Sequence, residues 1–77
     1  MNRSRRSRIE KIRTTIENLS NEIEELQAEE QEAFDAMPES LQQGDRGQAS
    51  EAAAEALQSA YDSSSEVLAY LDEASEP

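Results

Sequence analysis

Six of the seven basic residues, Arg3, Arg5, Arg6, Arg8, Lys11 and Arg13, lie in the first thirteen positions, where only Glu10 opposes them. That segment carries a net charge of +5, whereas residues 14–77 set Arg46 alone against 17 acids, a net of −16. A basic arm of this kind can neutralise phosphates. It can equally pair with acids of its own chain, and Asp72, Glu73 and Glu76 are the candidates if the two ends of the chain meet. Positive charge at a helix N-terminus and negative charge at a C-terminus each oppose their own macrodipole, and placed side by side they offset one another. No aromatic residues interleave the arginines to stack bases, and the −16 body repels a duplex beyond the first turns. Weak or no duplex binding is expected.

Other residues suggest narrower chemistry. Arg5, Arg8, Arg13 and Arg46, with Tyr61 and the run Ser63–Ser65, could hold a small nucleotide-like anion where chains meet. The acids Glu22, Glu25, Glu29 and Glu32, within a dense run from Glu22 to Asp35, could present a carboxylate array to a basic groove on another protein. The plainer reading of that run is a solvated helix face. Tyr61 and Tyr70 are natural anchors for an interface. Paired carboxylates without a nucleophile or cleft make a weak case for acid–base catalysis. Cysteine, histidine and tryptophan are absent, which removes disulfides, zinc sites built on His or Cys, and His- or Cys-based catalysis. No enzyme and no cofactor are expected.

These residues must be positioned by helices. Glycine and proline occur only twice each, which leaves long stretches without breakers. Ile9, Ile12, Ile16, Leu19, Ile23 and Leu26 alternate in steps of three and four, a heptad seam. The next seam position is Glu30, expected to turn out to solvent or to pair with Arg46 of another chain, and Ala33, Phe34 and Met37 restore the apolar face. The spacing predicts a first helix over about residues 4–37, stopped by Pro38. Residues 38–45 form the connection, in which Ser40 with Gln43 and Asp45 with Gln48 have capping-box spacing. A second helix follows over about 46–75. Its stripe is Ala49, Ala53, Leu57, Ala60, Ser64, Val67, Leu71 and Ala74, flanked by Leu68 and Tyr61.

Folded back, the second helix meets the first with Phe34 and Met37 over Ala49, Ala52 and Ala53, and with Ile16 and Leu19 beside Val67, Leu68 and Leu71. The expected fold class is all-α, one antiparallel two-helix hairpin over residues 1–77, coiled-coil-like. A parallel dimer through the first helix is the competitor, favoured by Ile and Leu at alternating seam positions. Only fifteen apolar side chains larger than alanine remain after Met1, a thin core for a lone chain. Small scaffolds without disulfide or metal often close that gap by association, so a homo-oligomeric helical bundle is expected. Its core would be Ile9, Ile12, Ile16, Leu19, Ile23, Leu26, Phe34, Met37, Leu57, Val67, Leu68 and Leu71. The longest apolar run is five residues, Val67–Leu71, so neither a membrane span nor a signal peptide is expected.

The stretch EEQEAFDAMPESLQ, followed by QGDRGQ, resembles small acidic helical-hairpin proteins commonly encoded by bacteriophages and their hosts. In those, an acidic helix ends in a similar FDxMPESLQ turn and an ERGE-like cap opens an acidic, alanine-rich second helix. The resemblance covers roughly residues 22–60, with Asp45, Arg46, Gly47 and Gln48 at the cap. It implies a phage or mobile-element origin, the cytoplasm of a bacterial host cell, and a host or phage protein as partner, with an anti-defence role.

Overall fold

The computed structural model describes residues 2–76, which form three helices: α1 (Arg3–Asp35), α2 (Glu39–Gln42) and α3 (Asp45–Ser75). Helices α1 and α3 pack against each other along their length, giving an antiparallel hairpin 58 Å long between its extreme Cα atoms.

Local chemistry explains where each helix starts and stops. Asn2 caps α1, its Oδ1 accepting from the backbone N–H of Arg5 at 2.8 Å. At the other end α1 stops at Asp35, two residues before the expected limit. The Ala36 N–H bonds back to Glu32 and the Met37 N–H to Phe34, so the final turn tightens ahead of Pro38. Proline then opens α2: its carbonyl accepts from Leu41 at 2.9 Å and Gln42 at 3.0 Å.

Neither expected capping box forms. Pro38 and Gly44 occupy the N-cap positions of α2 and α3, and neither cap makes a side-chain hydrogen bond. Asp45 lies inside the first turn of α3, where its charge suits the macrodipole. The Gln48 amide reaches the Gln43 carbonyl instead of closing a box. Gly47 is buried because the turn folds α2 directly over it; a Cβ there would collide with the backbone of Gln42. The Gln42 side chain in turn donates to the Phe34 carbonyl at 3.0 Å, tying the turn to the end of α1.

The seam between the helices is offset by one residue from the apolar heptad. On α1 and just after it the residues shielded to some degree are Ile9, Arg13, Ile16, Ser20, Ile23, Gln27, Glu30, Gln31, Phe34 and Met37, while Ile12, Leu19 and Leu26 remain 49%, 52% and 53% exposed. On α3 they include Gly47, Ser50, Ala54, Leu57, Tyr61, Ser64, Leu68, Leu71 and Ser75, and Val67 is 43% exposed. Four of the twelve expected core residues, Ile12, Leu19, Leu26 and Val67, therefore lie outside the hairpin seam. Likewise Ala49 and Ala52 are exposed, and the buried residues at the turn end are Gly47, Ser50 and Ala54.

The cause is close approach. Small residues at Gly47, Ser50, Ala54 and Ser64 let α1 settle deep against α3, and the seam admits polar side chains that find partners there. Ser20, only 4% exposed, donates to the Ser64 hydroxyl at 2.7 Å, and Ser64 donates to the Tyr61 carbonyl at 2.6 Å. Glu30 does not leave for solvent; half-buried, it accepts from the Ser50 hydroxyl at 2.8 Å. No buried side-chain polar atom among the described residues lacks a hydrogen-bond partner, so the polar seam avoids the cost of orphaned groups.

Candidate interaction surfaces

In an antiparallel pair of helices, equivalent rows lie on the same side of the seam. Arg13 shows which side is which: its guanidinium bonds both Glu17 of α1 and Asp72 of α3. Glu24 and Tyr61 approach each other on that same edge. The rows bordering this edge are Glu10, Glu17, Glu24 and Gln31 on α1, and Glu51, Gln58, Ser65 and Asp72 on α3. Every one of them is polar.

The opposite edge carries Ile12, Leu19, Leu26 and Ala33 on α1, beside Ala53, Ala60, Val67 and Ala74 on α3. Every one of these is apolar. Tyr70, 68% exposed, continues this edge outward on α3. Two shallow open depressions flank Ile12, one lined by Arg5, Arg8, Ile9 and Ile12, the other by Lys11, Ile12, Thr15 and Ile16. The expected apolar residues thus divide between two tasks: half-buried Ile9, Ile16, Ile23, Phe34, Met37, Leu57, Leu68 and Leu71 line the hairpin, and the exposed row stands along one side of it.

The expected basic site is only partly assembled. Arg13 is half-buried, and its pairing with Asp72, then with Glu17, raises its pKa further above the ordinary arginine range. Arg3, Arg5, Arg6 and Arg8 are exposed, and among the described residues the ion pairs are those of Arg13 alone. Glu73 and Glu76 thus form no ion pair with any described residue. Arg46 sits in the first turn of α3, at the far end of the hairpin from Arg5 and Arg8. Tyr61 lies mid-hairpin, and the Glu24 carboxylate, as hydrogen-bond acceptor and as charge, pushes its hydroxyl pKa above the ordinary value. One chain therefore does not bring Arg5, Arg8, Arg13, Arg46 and Tyr61 together. Glu22, Glu25, Glu29 and Glu32 are all exposed on the outer surface of α1.

Among the described residues no group of three or more carboxylates could hold a metal ion. No helix of the described residues is long and apolar enough to cross a membrane. No protein family, curated protein or solved structure matches the chain.

Sequence reasoning located the apolar residues but missed what divides them. On α3, Gly47 with Ala54 and Ser50 with Ser64 place small residues in the two seam rows, and Ser64 faces Ser20 of α1. Those rows were the available signal that the helices approach one residue round from the bulkiest stripe.

Proposed function

We propose that this chain is a non-enzymatic interaction protein, a hairpin that associates with itself through its apolar edge and offers its acidic outer surface to a macromolecular partner. The observation that supports this reading is the exposed row Ile12, Leu19 and Leu26 on the same side as Val67. On α1 the column Ile9, Ile16 and Ile23 serves the seam while the column Ile12, Leu19 and Leu26 stands beside it unused, an apolar face wider than one helix partner can cover. The outer carboxylates Glu22, Glu25, Glu29 and Glu32 would engage a basic surface of a host or phage protein, the partner class that the resemblance suggests. A sponge for a small anion would need a second copy, because a single chain separates Arg46 from the other arginines by most of its length.

Sedimentation equilibrium tests the self-association. A dimer or larger species is expected at micromolar concentration, and Leu19→Glu should give a helical monomer. A well-folded wild-type monomer of 8.6 kDa would refute it. For the partner surface, Glu22, Glu25, Glu29 and Glu32 changed together to Gln should abolish capture of a host protein that wild type retains, compared at concentrations where both proteins are assembled.

A further inference from the structure

We infer that the occupant of the apolar edge is a second copy lying antiparallel to the first, α1 against the partner's α1 about a twofold axis near Leu19. This rests on the self-association proposed above and specifies its geometry.

Charge decides the orientation. The open half of the hairpin, residues 2–19 with 66–76, holds six cations and six acids and is formally neutral. The turn half, residues 20–65, holds the whole net charge of −11. Two copies stacked with their open ends together would concentrate −22 at one end of the dimer. Stacked antiparallel, each −11 half lies over the half of its partner that carries Arg3, Arg5, Arg6, Arg8 and Lys11. Opposed charges of this kind choose register and exclude alternatives. Among the described residues, no acid is paired with the exposed arginines of the open end.

The rows fit the same axis. Ile12 and Leu26 lie seven residues either side of Leu19, so a twofold axis there sets Ile12 over the partner's Leu26, with Leu19 over the partner's Leu19. The two depressions flanking Ile12 then receive an apolar side chain. Arg8 comes level with the partner's Glu29, which shares its heptad column. The Ser20–Ser64 pairing places the axis near Ser65 on α3, which sets Tyr70 over the partner's Ala60, large against small. A face 58 Å long and 14 Å wide between Cα atoms offers about 800 Å² per partner, the size of a standard stable interface. The contact is isologous, so it closes at two copies.

The chain has no cysteine, which makes single-cysteine variants clean reporters. Under a short bifunctional thiol reagent, Leu19→Cys alone should cross-link to itself, and Ile12→Cys mixed with Leu26→Cys should give the heterodimer. Ile12→Cys alone should not, since its two copies stand about 21 Å apart along the axis. Self-linked Ile12→Cys, or a dimer lacking the mixed link, would overturn the orientation. Sedimentation of the same reduced proteins separates the two levels: a monomer refutes self-association, whereas a dimer with the wrong links refutes only this geometry. As a second variant pair, reversing Arg5, Arg6 and Arg8 to Glu should weaken dimerisation at least tenfold, and so should reversing Glu25, Glu29 and Glu32 to Lys. Mixing the two should restore it; failure to restore while each remains helical would also overturn the proposal.

Discussion

The hydroxyls of Ser20 and Ser64, 44 residues apart in the chain, meet at 2.7 Å in the middle of the hairpin. Ser64 receives that bond and donates onward to the Tyr61 carbonyl. A polar pair thus occupies a level where a coiled-coil seam ordinarily holds Leu or Ile, and its small volume sets how near α1 and α3 can lie.

Breaking this pair from one side and removing it from both should differ. Ser20→Ala leaves the Ser64 oxygen without its donor and should cost about 1 kcal/mol. Ser20→Ala with Ser64→Ala removes both polar groups and should cost no more than the single change. Chemical denaturation of the three variants measures the coupling between them.

Gly47 sets helix propensity against packing. Alanine is about 1 kcal/mol more favourable than glycine inside a helix, yet a Cβ at Gly47 would run into the backbone of Gln42. Backbone cannot swing aside as a flexible side chain does, so the collision wins. Gly47→Ala should destabilise by about 1–3 kcal/mol, seen as a lowered denaturation midpoint. A rise in stability would mean that α2 moves freely off α3.

Ile16 and Leu26 belong to different interfaces and should report differently on protein concentration. Ile16→Ala thins the hairpin seam and should cost about 2 kcal/mol at any concentration. Leu26→Ala thins the exposed row, and its cost should grow with concentration as wild type gains stability from association. Thermal unfolding over a hundredfold range of concentration checks both.

Tyr61 supplies a pH signature. Its pKa is raised beside Glu24, so the folded state holds the proton more tightly than the unfolded chain. That contribution is fully present below the unfolded tyrosine value of about 10 and fades as pH rises through the higher folded value. In a Tyr70→Phe background, tyrosinate absorbance should titrate above pH 10, and Glu24→Gln should bring the midpoint down. An unmoved midpoint would separate Tyr61 from Glu24.

The helical hairpin was legible because its determinants are local. Pro38, Gly44 and Gly47 punctuate the middle, and nothing breaks the long stretches on either side. The seam was less legible because two periodic rows compete. Ile9, Ile16 and Ile23 belong to both, but Ile12, Leu19 and Leu26 outrank Arg13, Ser20 and Gln27 on any hydrophobicity scale. Sequence periodicity scores transfer from water, whereas the structure follows how closely helices approach and whether polar groups find partners. Glu30 shows the same limit: its partner Ser50 is 20 positions away, and no local pattern announces such a bond. For the same reason the candidate site residues could be named but not sorted into those facing the other helix and those facing outward.

The placement of the basic residues also dictates how a protease would read this molecule. Trypsin needs Lys or Arg on a segment that can leave its helix, and between Arg13 and Arg46 the sequence provides neither. Every other cleavage point lies in the first turns of α1, where Asn2 supplies the cap but no acidic residue supports the first turn. Nicking should therefore begin by shaving the arginine-rich end, leaving a trimmed hairpin that still holds together through its seam. The cut after Arg46, in the first turn of α3 beside the turn that packs over Gly47, should come late and split the chain into its two long helices. The lag between these events times the opening of the turn, a reading taken from an ordinary digest.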